Sequence, residues 1–343
     1  MKNIVKSHEE DDTHASSSIT RLPDEIILQI LNKLLDLKIL CVCYLVSKRF
    51  SSIVLQVDAI SFTAPFLNSN IPDNNAGDVD DGPFSKKLLM LLIKPLYLLR
   101  AMVFAPSKPL PPVMSSFYSE SFRSAMTFQS KFSEVKSLRI ELAFSSFGGI
   151  DNAILFKWKV KFAKVIESFI FLSPNSICDP DGFYRNGNRN GEEEIGLPND
   201  LFKQKSKIAI QCLTDIIMWH KMMLYIVMRS PKLEEISITD SGGRGRLSLN
   251  GERLSEVKEW LHSPKVEDIP GSVSRCYIPV LNLPDSGYVM KGIFVIVMEM
   301  NDLHGGNVVM NSNDGFEDEE EAAYTEAVME ILEKHKDRMQ KVI

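Results

Sequence analysis

The chain is poor in cysteine, with five among 343 residues, at Cys41, Cys43, Cys178, Cys212 and Cys276. So few, so scattered, exclude a disulfide framework. No Asn-x-Ser/Thr acceptor for N-glycosylation occurs, and residues 1–18 hold no apolar stretch of signal-peptide length. Long apolar runs are missing too. The longest such region, Leu88 to Phe104, is broken by Lys94, Pro95 and Arg100, short of the roughly 20 apolar residues that span a bilayer. These absences point to a reducing compartment, nucleus or cytoplasm, and to no membrane span. A basic excess is also lacking: Lys plus Arg number 39 against 45 Asp plus Glu, a net charge of −6. Coating of nucleic acid is therefore not expected.

Recognisable reaction chemistry is equally scarce. The histidines His8, His14, His220, His262, His304 and His335 have no cysteine or second histidine at metal-ligand spacing. Cys41-x-Cys43 on a helix points its thiols to different faces, which suits packing better than zinc. The acidic stretch Asp73 to Asp81 lacks the residue order of a calcium loop. Gly242-Gly243-Arg244-Gly245-Arg246 lacks the Lys-Ser/Thr that closes a phosphate loop, so it reads as a turn. No Gly-x-Ser-x-Gly elbow is present. No catalytic residue, metal or cofactor is expected.

What is present is organised unevenly. Residues 1–18 form a polar lead-in with Glu9 to Asp12. Residues 19–60 carry three short helical patterns. Ile26, Ile27, Ile30, Leu31 and Leu34 form the first stripe, behind Pro23 at the first turn and Asp24 and Glu25 at the positive end of the helix dipole. Asp36 and Ser47 are placed to cap the second and third. Three such helices carry more apolar surface than they can bury among themselves. A polar linker follows at 61–83, then an α/β domain at 84–302, an acidic linker at 303–321 and an amphipathic helix at 322–343. Within the domain one apolar spacing recurs, at Val135-Leu138-Ile140, Ile166-Phe169-Phe171 and Leu233-Ile236-Ile238. The central residues are 31 and 67 apart (169 − 138, 236 − 169). A parallel sheet or a degenerate leucine-rich arrangement would produce such a period. The fold class is α+β.

The segment Leu22 to Val54 resembles an F-box. The resemblance is carried by Leu22-Pro23-Asp24-Glu25, the stripe Ile27, Ile30, Leu31 and Leu34, and Leu45-Val46-Ser47-Lys48-Arg49-Phe50. The sequence departs at Asp36-Leu37, where many F-boxes have proline. KPLYLLRAM around Lys94, LFKWKVKF around Trp158, PKLEEISITDSGGRGRLSL from Pro231 and YIPVLNLPDSGYVMKGIFVIVM from Tyr277 are similar to plant F-box proteins of the auxin-up-regulated group. The resemblance implies a non-catalytic adaptor. The F-box would bind a Skp-type adaptor, and through it a cullin, with Leu22, Pro23, Ile30, Leu34, Val46 and Phe50 at the contact and Ile27 and Leu31 inside. The larger domain would hold an unknown protein substrate for ubiquitin transfer, and Arg244 and Arg246 are candidate contacts for acidic groups on it. The alternatives are an F-box scaffold or transcriptional cofactor acting outside ubiquitination, and an enzyme with an unrecognised site.

Overall fold

The structure, a computed structural model, describes residues 21–64, 120–142, 154–162, 164–186, 199–262, 271–300 and 319–341. Residues 65–83 of the expected linker and the apolar region Leu88 to Phe104 lie outside them.

Three helices open the chain: α1 (Asp24–Leu34), α2 (Leu37–Val46) and α3 (Lys48–Val54). Their boundaries follow from local chemistry. Pro23 starts α1, and its carbonyl accepts from the Ile26 and Ile27 amides. Asp36 caps α2, accepting from the Lys38 amide at 2.7 Å, and Ser47 caps α3, accepting from the Phe50 amide at 3.2 Å. Strand β1 (Ala59–Ala64) leaves α3 directly. It runs across the position where a polar linker was expected to begin, because alternate residues Ile60 and Phe62 are buried against the core.

Two sheets follow. The first joins β1, β2 (Ser137–Leu142), β7 (Glu235–Asp240) and β8 (Arg246–Asn250) in that order. Its first three strands are parallel and β8 returns antiparallel through a tight turn. The second is antiparallel, with path β11-β9-β10-β4-β3. It comprises β3 (Lys157–Phe162), β4 (Ile166–Ser173), β9 (Gly271–Asn282), β10 (Val289–Met300) and β11 (Gln340–Lys341). A small hairpin, β5 (Ser176–Cys178) and β6 (Tyr184–Asn186), joins its side. The helices are α4 (Glu120–Gln129), α5 (Asn199–Arg229), α6 (Gly251–His262) and α7 (Glu319–Lys334).

The 31-residue α5 is the organising element. It touches β4 and β10 of one sheet and β7 and β8 of the other. Ile208, Cys212, Ile216, Trp219, Met223 and Val227 on it share one buried cluster with Leu138, Ile140, Ile236 and Ile238 from the first sheet and Phe169, Phe171 and Phe294 from the second. Contact with both sheets gives this helix a broad apolar face, while Lys203, Lys207, Gln211, Thr214 and Lys221 keep a polar stripe toward solvent. The last helix, α7, covers the opposite face of the second sheet, where Tyr324, Val328 and Ile331 meet Ile170, Leu172, Val295 and Val297. Its first turn includes Glu319, Glu320 and Glu321. The end of the expected acidic linker is therefore helical, with carboxylates at the positive end of the dipole.

The three apolar repeats divide between the sheets. The first and third are neighbouring parallel strands, pairing Leu138 with Ile236 and Ile140 with Ile238. The second, Ile166-Phe169-Phe171, lies in the antiparallel sheet. The common spacing reflects strands with one buried face, not one stack of repeats.

Candidate functional site

The N-terminal helices separate their apolar residues into an inner and an outer set. Ile27, Leu31, Leu37, Leu40, Phe50, Ile53 and Val54 are buried. The group is braced by Arg49, whose guanidinium pairs with Asp24 at 2.6 Å and donates to the Leu22 carbonyl, tying the start of α3 to that of α1. Ile30, Leu34 and Val46, expected at a partner surface, are exposed, as is Pro23, while Leu22 is partly buried. Phe50 corrects the expectation. It is only 8% exposed and belongs to the internal core, because the stripe Phe50, Ile53, Val54 faces inward on α3. Four residues missing from the expected contact set are exposed beside the rest: Ile26, Ile39, Val42 and Leu45, with Val42 at 64% and Leu45 at 76%. Their signal was the run Ile39 to Val46, apolar on every face of a helix that buries only Leu37 and Leu40.

A second candidate lies where the two sheets meet. A cleft of about 620 Å³ has one wall formed by the polar face of the first sheet, including Arg139, Glu141 and Ser237. The other wall includes Lys157 and Lys159 of β3 and Tyr324 of α7. The β7–β8 turn closes one end. The Trp158 amide donates to the Arg244 carbonyl at 3.0 Å, and Lys157 Nζ donates to the Gly243 carbonyl at 2.8 Å. Gly245 is packed so tightly that a Cβ would lie 2.6 Å from the Trp158 ring and its carbonyl. Here glycine answers a steric need, not phosphate binding.

Arg244 and Arg246 both line the cleft. Arg244 is already engaged: its Nε lies 3.9 Å from Asp240 Oδ2 and its guanidinium sits 4.7 Å from the Phe156 ring centroid. Asp240 is buried, which raises its pKa, against the opposing pull of Arg244. Arg246 faces the same space from β8, beside Thr239. Away from the cleft, Lys205 of α5 is buried, and burial pushes its pKa down to about 7. Cys212 and Cys276 are buried and their thiols are raised by the same cause. Among the described residues no group of three or more His, Cys, Asp or Glu could hold a metal ion, and no helix is long and apolar enough to cross a membrane.

Three short helices, two of them capped by side chains, present a half-exposed apolar surface and are tied to a mixed helix-and-sheet domain. The family profile described as F-box-like matches residues 19–58, so the N-terminal helices are an F-box-like domain. Beyond it, the chain is similar to F-box proteins of Arabidopsis thaliana over most of its length. It is 26% identical to F-box protein At4g18380 over 314 residues, covering 81% of this chain and 82% of that protein. It is 27% identical to F-box protein AUF2 (72% and 70% covered) and 21% identical to F-box protein AUF1 (69% and 70% covered). No solved structure matches the chain. F-box proteins are in general non-catalytic adaptors of Skp–cullin–F-box ubiquitin ligases.

Proposed function

We propose that this protein is the substrate-recognition subunit of such a ligase and has no catalytic residues of its own. Its F-box helices bind a Skp-type adaptor, and through it a cullin, using Pro23, Ile30, Leu34, Leu45 and Val46, with Leu22 at the margin. The mixed domain holds a protein substrate near the ubiquitin-carrying subunits, which raises the local concentration of acceptor lysines. The observation that carries this reading is the exposed apolar surface on α1 and α2. Isolated exposed leucines and valines are ordinary, but seven exposed apolar residues on two neighbouring helices fit a helical partner surface. The cysteines, none of them in a disulfide, suit the reducing nucleus or cytoplasm.

The experiment is a co-purification of the full chain with a recombinant Skp-type adaptor and cullin. The chain should capture both. The combination Ile30→Ala, Leu45→Ala, Val46→Ala should abolish capture while leaving the thermal transition unchanged. Capture of the adaptor without cullin would favour a scaffold outside ubiquitination. No capture by the wild type would refute the proposal.

A further inference from the structure

Resting on the adaptor reading above, we propose that the cleft between the sheets binds an extended substrate segment of the form basic-x-acidic-x-basic. The acidic side chain would sit on Arg139 and the two basic ones near Glu235 and Glu141.

The assignment follows from the register of the first sheet. Its polar face is built of cross-strand rows. One row is Ser61, Arg139, Ser237 and Ser248, joined by the pairings Ser61 to Arg139, Arg139 to Ser237 and Ser237 to Ser248. The row on one side runs from Ser137 through Glu235 to Asn250, and that on the other from Thr63 through Glu141 to Thr239 and Arg246. Successive rows on one face are two residues, roughly 6.6 Å, apart along the strands. A negative, a positive and a negative charge therefore succeed one another at the repeat of an extended peptide. All three lie in the cleft lining.

None of the three has an opposite charge within ion-pair distance among the described residues. Salt bridges near the cleft include Lys136 with Glu234, Lys232 with Glu134 and Arg244 with Asp240, and none of these engages the three residues. Glu141 accepts from the Thr63 hydroxyl, at 3.3 Å. Ser61, Ser237 and Ser248 are half-buried on either side of Arg139. Their hydroxyls add donors around a carboxylate seated on the guanidinium, as charge-assisted recognition requires. Glu141 and Glu235 flank the guanidinium on its own face and offset Lys157 and Lys159 of the opposite wall, which favours a single carboxylate over a phosphate dianion. Arg246, two strands from Glu141 in its row, borders the site at its far side.

The test uses the full chain bound to its Skp-type adaptor and fluorescein-labelled nine-residue Ser/Gly peptides, read by anisotropy at low salt. One peptide carries Lys-x-Glu-x-Lys at its centre and another carries Glu-x-Lys-x-Glu. A third replaces the central Glu of the first by phosphoserine. The first should bind at least tenfold more tightly than the second, and Arg139→Glu should abolish that preference. Arg139→Gln should reduce binding of the first at least fivefold, and Ser237→Ala with Ser248→Ala by a smaller factor. Equal binding of the first two peptides, or an unchanged preference in Arg139→Glu, overturns the proposal. Tighter binding of the phosphoserine peptide overturns the assignment of a carboxylate. Capture of the Skp-type adaptor by Arg139→Glu, measured on the same preparation, should equal that of the wild type. Loss of adaptor binding in the wild type would instead be a failure of the adaptor reading. Should Arg139→Glu lower the thermal transition, Arg139→Gln and the serine pair decide the matter.

Discussion

The Leu35 carbonyl accepts a hydrogen bond from the Ser61 amide at 2.7 Å. Leu35 is the residue that ends α1, and it does so at φ 53, in the left-handed region where non-glycine residues are rare. Ser61 belongs to β1, the edge strand of the first sheet. A second tie runs beside it, where the Asp58 amide donates to Asn32 Oδ1 at 3.1 Å. The F-box helices are thus joined to the sheet by backbone, not by a swinging linker. A receptor that holds its substrate at a set distance from the rest of a ligase needs such a joint.

Ser61→Pro removes the donor of that bond and leaves the Leu35 carbonyl without it. The expected outcome is a loss of about 1–3 kcal/mol, seen as a lower denaturation midpoint. Cleavage by trypsin near Lys48 to Arg49 should also become faster. An unchanged midpoint and digestion rate would show that the joint contributes nothing.

The F-box surface and its core should separate under mutation. Leu45→Ala and Val46→Ala act on exposed side chains, so stability should move by less than about 0.5 kcal/mol. Adaptor affinity should still fall by about 2 kcal/mol or more if they are among the dominant contacts. Phe50→Ala empties a buried site and should cost about 3–5 kcal/mol of stability. Denaturant titration alongside adaptor binding distinguishes these. Weak binding by Phe50→Ala with full stability would return Phe50 to the contact surface.

Gly245→Ala places a methyl group 2.6 Å from the Trp158 ring and from its carbonyl. Neither is the free end of a flexible chain, so the β7–β8 turn must shift. The expected cost is about 1–3 kcal/mol, with a change in Trp158 fluorescence. An unaltered spectrum and midpoint would contradict the packing described for the cleft.

Lys205 predicts a pH dependence. Its Nζ donates to the Ser173 carbonyl and Asn175 Oδ1, each at 2.7 Å, and to the Gly292 carbonyl at 3.4 Å. Burial nevertheless lowers its pKa from 10.5 to about 7. Between those values the unfolded chain holds a proton that the folded chain does not, so stability through this group rises with pH across that window and is level below it. Urea titrations from pH 7 to 9.5 should show the wild type gaining stability relative to Lys205→Met. A constant difference between the two would sink the prediction.

The local elements follow from amino-acid order alone. The caps at Asp36 and Ser47 and the inward stripe Ile27 and Leu31 were legible because they depend on neighbours within a few residues. So was the F-box resemblance, carried by side chains at short spacings. Relations between segments distant in the chain come from three-dimensional packing instead. Phe50 is buried while Leu45 is exposed because the packing of α3 against α1 and α2 selects one face, and composition alone does not distinguish them. The repeat at Ile166 lies in the other sheet from its two counterparts, because its apolar spacing reports only that one strand face is buried, not which strands pair with it. The row of Arg139, Ser237 and Ser248 is invisible in the sequence, since strand register, set across about 100 residues, is what brings these side chains to one surface.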